Sequence, residues 1–182
     1  MKRKFASLGI ATLLLIVPIQ SALADYWQGG KTWGGTTVYE FDSSVYNYSY
    51  DYESVYNQAI RNWEGISSKV SFASRSHENS DKYYVGETSV QGLLGRMDPY
   101  NGTRLASINS NWSSTKVHIF HNNMDAFNMS EAERTSNATH EIGHSLKLAH
   151  PVGNVTSVMK QGIQSRGPSS YDKTELKNKW GQ

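Results

Sequence analysis

Apolar and polar positions change period several times along this chain, and each change marks an element. "TTVYEF" (36–41) is β-branched and aromatic, the composition of a strand. Over 52–64 the period becomes helical: Tyr52, Val55, Tyr56, Ala59, Ile60 and Trp63 return every three or four positions, and Gly65 is placed to end the helix. "KVSFAS" (69–74) and "KYYVGETSV" (82–90) go back to strand composition. "GLLGRMDPYNG" (92–102) holds Asp-Pro and Asn-Gly and predicts turns. "TRLASINS" (103–110) interleaves polar residues as an edge strand does, and "KVHIFH" (116–121) alternates Val117 and Ile119 with His118 and Phe120. Residues 128–148 are helical again, with Ser130 and Glu133 in a capping-box pattern and Ala138, Ile142 and Leu146 in an apolar stripe. "SSYDKTELKNKW" (169–180) is the last helix, opened by a serine cap and closed near Gly181.

The order is β-α-β-β-β-β-α-loop-α, an α+β arrangement with five strands and no repeat or linker that would divide it. Tyrosines at 46, 48, 50 and 52 predict an extended aromatic cover over the core.

Composition changes the picture at the N-terminus. Residues 1–24 read as a secretory signal peptide: Lys2-Arg3-Lys4, an apolar run too short to span a membrane comfortably, then Ala22-Leu23-Ala24. Cleavage after Ala24 leaves residues 25–182 as one domain, secreted and extracellular, with no membrane attachment. The whole chain has 18 basic and 16 acidic residues; the leader holds three of the basic and none of the acidic, so 15 against 16 remain, a net charge of −1. The basic character therefore belongs to the leader, and nothing points to a nucleic-acid surface. There is no cysteine, so no thiolate can act as nucleophile, zinc ligand or latency switch.

Candidate chemistry gathers in "ATHEIGHSLKLAHPVG" (138–153), which holds three of the six histidines. On a helix His140 and His144 lie one turn apart on one face, able to present two imidazoles to one metal ion. Glu141 stands beside that face, placed to hold a water without ligating. A catalytic zinc normally takes three protein ligands and keeps a fourth position open. His150 can supply the third only if the helix ends after Leu146 and the chain turns back, which Pro151 and Gly153 favour. A chance match of these four residues at fixed spacing is on the order of one in three thousand.

The pattern H-E-x-x-H-x5-H, followed by Met159 in "TSVMKQG", resembles the metzincin metalloproteases, and "HEIGHSLKLAH…SVM" is similar in wording to the matrixin-like peptidases among them. The resemblance implies a zincin-like α+β fold: a twisted, mixed, mostly five-stranded sheet, two long helices, and an irregular C-terminal part ending in a helix. It implies one catalytic Zn²⁺ on His140, His144 and His150, Glu141 as general base, and Met159 in a tight turn beneath the metal. The activity implied is a secreted endopeptidase, a monomer acting on protein or peptide substrates through an activated water. The strand around Leu105, Ala106, Ser107, Ile108 and Asn109 is expected to pair with an extended substrate. By the resemblance, the loop 160–168 with Gly162 shapes the pocket beyond the scissile bond.

Two features depart from the family pattern. Lys147 stands where glycine is usual; a left-handed lysine there costs about 1–2 kcal/mol. The histidine-rich loop for a second zinc is missing: His77, His118 and His121 read as surface or satisfied residues. Asp42, Asp51, Asp81 and Asp98 can contribute to Ca²⁺ binding, although no EF-hand spacing supports it. Three rivals stay open: a zinc peptidase whose third ligand is Glu175, a non-catalytic zinc-binding interaction module, and a zinc hydrolase of a non-peptide amide.

Overall fold

A computed structural model describes residues 25–182; the signal-peptide expectation for 1–24 lies outside it. Six strands form one mixed sheet: β1 (Thr36–Phe41), β2 (Ser71–Ser74), β3 (Asp81–Gly86), β4 (Gly95–Asn101), β5 (Arg104–Leu105) and β6 (Ser114–Phe120). Their spatial order is β2-β1-β3-β6-β4-β5. β1 is parallel to β2 and β3, and β3 to β6, while β4 runs antiparallel to both β6 and β5. The helices are α1 (Tyr52–Trp63), α2 (His121–Ala126), α3 (Glu131–Ser145) and α4 (Ser170–Trp180).

Alternation decides which face of the sheet is covered. Tyr83, Val117 and Ile119 are wholly buried, while their neighbours Tyr84 and His118 are only half-buried on the other face. The periodic face of α1, from Tyr52 to Trp63, is buried entirely. An aromatic stack joins sheet to helix, Tyr83 lying 5.4 Å from Tyr39 and 5.1 Å from Tyr56. α1 is fastened to α3 at both ends: Arg134 Nη1 donates to Tyr52 Oη at 2.5 Å, and Thr139 takes two bonds from the end of α1. Trp63 Nε1 donates to Thr139 O at 2.8 Å, and Asn62 Nδ2 donates to Thr139 Oγ1 at 2.9 Å.

The expected five strands become six. The turn chemistry of 92–102 predicts turns, yet Gly95–Asn101 is a strand. Its alternation buries Met97 and Pro99, and Pro99 is tolerated because strand pairing on its outer side stops at Tyr100; its carbonyl there accepts from Ala106 N–H at 2.9 Å, a bond that needs no donor from the proline. The Asn-Gly signal holds one step further on: Gly102 takes φ +58° in the hairpin that joins Asn101 to Arg104. The strand expected over 103–110 shrinks to Arg104–Leu105, after which Ser110 N–H closes a turn on Ser107 O at 3.0 Å. His121 opens α2 rather than ending β6. In the tyrosine segment, Ser43–Tyr46 form a 3-10 turn capped by Asp42, Tyr46 is exposed, and Tyr48 and Tyr50 pack against the core as expected.

Candidate metal centre

The site is built on the end of α3. Ser130 and Glu133 form the capping box that starts the helix. The helix stops at Ser145, Leu146 is its C-cap, and Lys147 takes φ +75°. Lys147 N–H then donates to His144 O at 3.0 Å and Leu148 N–H to Gly143 O at 3.0 Å, the paired bonds of a Schellman motif. A lysine thus occupies the left-handed position where glycine is the easy choice.

That turn brings His150 back over the helix. Its Nε2 lies 3.1 Å from Nε2 of His140 and 3.1 Å from Nε2 of His144. Among the described residues these three are the one group of three or more histidine and acidic side chains whose donor atoms cluster, all within 4.8 Å. His140 Nδ1 meets Val158 O at 2.9 Å and His144 Nδ1 meets Leu148 O at 2.8 Å. A carbonyl only accepts, so both Nδ1 atoms carry the proton and both Nε2 lone pairs face the common centre. Burial holds His140 down to about 4, His144 well below its ordinary value, and His150 below it as well. Three neutral imidazoles with converging lone pairs repel one another unless a cation stands between them. A tetrahedral metal at about 2.0–2.1 Å from each nitrogen would separate the nitrogens by about 3.3 Å. The donor set therefore fits zinc.

Glu141 is buried beside this centre, and burial followed by the charge of Asp98 pushes its carboxyl up to about 8 among protein groups alone. A cation held by the histidines acts in the opposite direction and favours the carboxylate. Gly95 of β4 faces Glu141 so closely that a Cβ there would stand 2.6 Å from Glu141 Cγ. Beneath the histidines Met159 is buried against Gly143, where a Cβ would meet its sulfur. The turn carrying Met159 hangs on Asp172, in the first turn of α4. Asp172 accepts from Ser157 Oγ, from Val158 N at 2.9 Å and from Ser169 N at 2.7 Å. Asp172 thereby caps its own helix and fixes Val158, whose carbonyl orients His140.

A cleft of about 390 Å³ opens over the three histidines and Glu141. Gly162 lines it, with Ile163 and Gln164 from the same loop. Leu105–Asn109 do not line it; the strand beside the cleft is β4, through Gly95, Arg96 and Met97. Sequence reasoning missed Gly95, Asp172 and Trp27. Asp172 had a readable signal, the Ser-x-x-Asp cap of α4; Gly95 and Trp27 reach the site only through tertiary packing. Glu175 lies elsewhere, accepting from Asp25 N at 2.9 Å and Asn178 Nδ2 at 3.1 Å. Asp42 and Asp51 cap helical turns, Asp81 pairs with Lys31 at 2.7 Å, and Asp98 pairs with Arg96 at 2.8 Å. His121 bonds Tyr52 Oη at 2.8 Å, and His118 stacks on Tyr84.

The side chains thus form a cluster of three imidazoles able to hold a metal ion, with a neighbouring carboxylate, at the floor of an open cleft. No protein-family model matches the chain, and no curated protein does. Among solved structures it is similar to high choriolytic enzyme 1, a hatching-enzyme zinc-protease from the medaka fish Oryzias latipes. The TM-score is 0.48 at 13% identity, over 84% of this chain and 92% of that one. The chemical reading rests on the histidine geometry itself. No helix among the described residues is long and apolar enough to cross a membrane.

Proposed function

We propose that this protein is a secreted zinc-dependent endopeptidase of the matrixin-like kind. The observation that carries the reading is the convergence of three neutral imidazole nitrogens, two of them oriented by backbone carbonyls, beside a buried carboxylate. A purely structural zinc site is closed by four protein ligands; this one offers three and faces a cleft.

His140, His144 and His150 would hold the ion. Bound zinc supplies the Lewis acid that lowers the pKa of a water and polarises a carbonyl oxygen. Glu141 takes the proton from the attacking water and hands it to the amine nitrogen as the peptide bond breaks. Gly95 leaves room for that carboxylate, and Met159 supports the helix from below. An extended peptide would pair with the outer edge of β4 from Gly95 to Met97, because β5 covers only Tyr100 and Asn101. The side chain beyond the scissile bond would enter between α3 and the loop around Gly162 and Ile163.

The purified domain is expected to bind one zinc and to cleave casein or gelatin, with chelator abolishing cleavage. Glu141→Ala should keep the metal and lose activity by a factor of at least about 100. Near-wild-type hydrolysis by that variant removes Glu141 from the base role. A zinc-loaded wild type with no cleavage of a broad peptide library would sink the peptidase reading and favour a binding module or a different amide substrate.

A further inference from the structure

The N-terminal segment brings to the cleft a side chain that the histidine motif does not announce. Trp27 lies stacked on the imidazole of His144, ring centroids 5.0 Å apart and planes 16° apart, and it lines the cleft. Its other near neighbour is Trp112, met edge-on at 6.2 Å. Trp112 is wholly buried, whereas Trp27 is only half-buried. A large apolar ring left partly wet in a cleft is what a recognition surface needs and what a core does not.

The segment that carries the indole is fastened through its main chain. Trp27 N–H donates to Lys147 O at 2.7 Å, and Trp27 O accepts from Lys179 Nζ at 2.9 Å. Lys147 Nζ donates to Gln28 O at 3.0 Å and Ser110 O at 2.7 Å, and it sits 3.2 Å from the centre of the Trp112 ring. One buried lysine amine therefore ties together the N-terminal segment, the loop before β6 and the turn between the second and third histidines. This accounts for a lysine at a left-handed position. Glycine would relax the backbone there and leave the carbonyls of Gln28 and Ser110 without this donor.

We propose that Trp27 is a specificity-determining residue whose indole forms the apolar wall of the cleft beside His144, and that Lys147 is the positioning residue that holds it there. The side chain it takes is aromatic or broad and apolar, on a peptide bound across the metal centre. The inference rests on the peptidase reading and adds a substrate class to it.

The test uses peptide libraries varied one position at a time around the scissile bond. Wild type should prefer aromatic residues at one position. In Trp27→Ala the ratio of kcat/KM between the aromatic and the alanine peptide should fall about tenfold, carried by KM. Trp27→Phe should keep most of the preference. Lys147→Met, which keeps the stem and loses the donor, should weaken the same preference without itself touching the peptide. Calorimetric binding of the same peptides to the Glu141→Ala protein should rank them identically without turnover. The Trp27 variants decide the matter even if Lys147→Met fails to fold, since a half-exposed ring can be truncated without emptying the core. An unchanged ratio in Trp27→Ala, or an equal loss for every peptide, overturns the inference and leaves peptidase activity standing. A wild type that cleaves nothing overturns both.

Discussion

A Cβ on residue 95 would stand 2.6 Å from both Cγ and Oε1 of Glu141, so the side chain assigned as base is fitted against a glycine. Gly95→Ala is expected to push that carboxylate out of line and lower kcat by at least about tenfold, with zinc content unchanged, because a displacement near 1 Å is enough to cost that much. Metal analysis beside steady-state kinetics checks it; an unaltered kcat would show that Glu141 has slack. The residues of the motif were legible because helical geometry alone relates His140, Glu141 and His144. His150 was legible through the angle argument, which required the helix to end where it does. Gly95 was not legible, since its constraint comes from a helix residue 46 positions away in sequence (residue 95 against 141) and from no local pattern. Lys147 was legible as a strain, because it stands where the family pattern has glycine, and its φ is indeed +75°; it was not legible as a clamp, because its carbonyl partners come from two distant segments.

Asp172 carries the coupling between elements. It is 1% exposed, it caps α4, and it fastens both Ser157 and Val158 in the turn beneath the histidines. Removing its carboxylate leaves several buried donors without an acceptor, each worth about 1–3 kcal/mol. Asp172→Ala is therefore expected to lower unfolding free energy by about 3 kcal/mol or more in urea titrations. It should also speed zinc release, because Val158 no longer holds His140. Asp172→Asn, which keeps one acceptor oxygen, should lose less of both. If zinc release is unchanged in Asp172→Ala, the turn and the metal ligands are not coupled. At this scale α1 and α3 were plain in the sequence, since their periods are long and capped. β4 was not, because Gly95, Asp98-Pro99 and Asn101-Gly102 carry turn chemistry while the strand is recognised only by its pairing with β6. β5 was overread for the opposite reason: 106–110 has strand-like spacing but lies outside the two-residue pairing with β4.

Over the whole molecule, the aromatic column through the core ties stability to alkaline pH. Tyr52, Tyr56 and Tyr83 are each fully buried. Burial raises the Tyr52 hydroxyl to about 12 and lifts those of Tyr56 and Tyr83 well above 10. In the unfolded chain all three lose their protons near pH 10. A folded-state pKa above the unfolded one means stability that is complete below pH 10 and lost as pH climbs from there through the folded values. Each such tyrosine contributes a slope of about 1.4 kcal/mol per pH unit in that window. Tyr83 allows the cleanest check, since its hydroxyl is buried with no hydrogen-bond partner among the described residues. Tyr83→Phe removes an unsatisfied polar atom and one titrating group together, and should leave stability at pH 8 equal or higher while flattening the loss between pH 10 and 12 by up to about 1.4 kcal/mol per pH unit. Tyr56→Phe gives up bonds from the hydroxyl to Tyr84 O at 2.7 Å and Val117 O at 3.3 Å, so it should flatten the same slope but destabilise at pH 8. Urea titrations of the three proteins at pH 8 and pH 11 separate these outcomes. An unchanged alkaline slope in both variants would place the titration elsewhere among the eleven tyrosines, away from the stack that joins the sheet to α1.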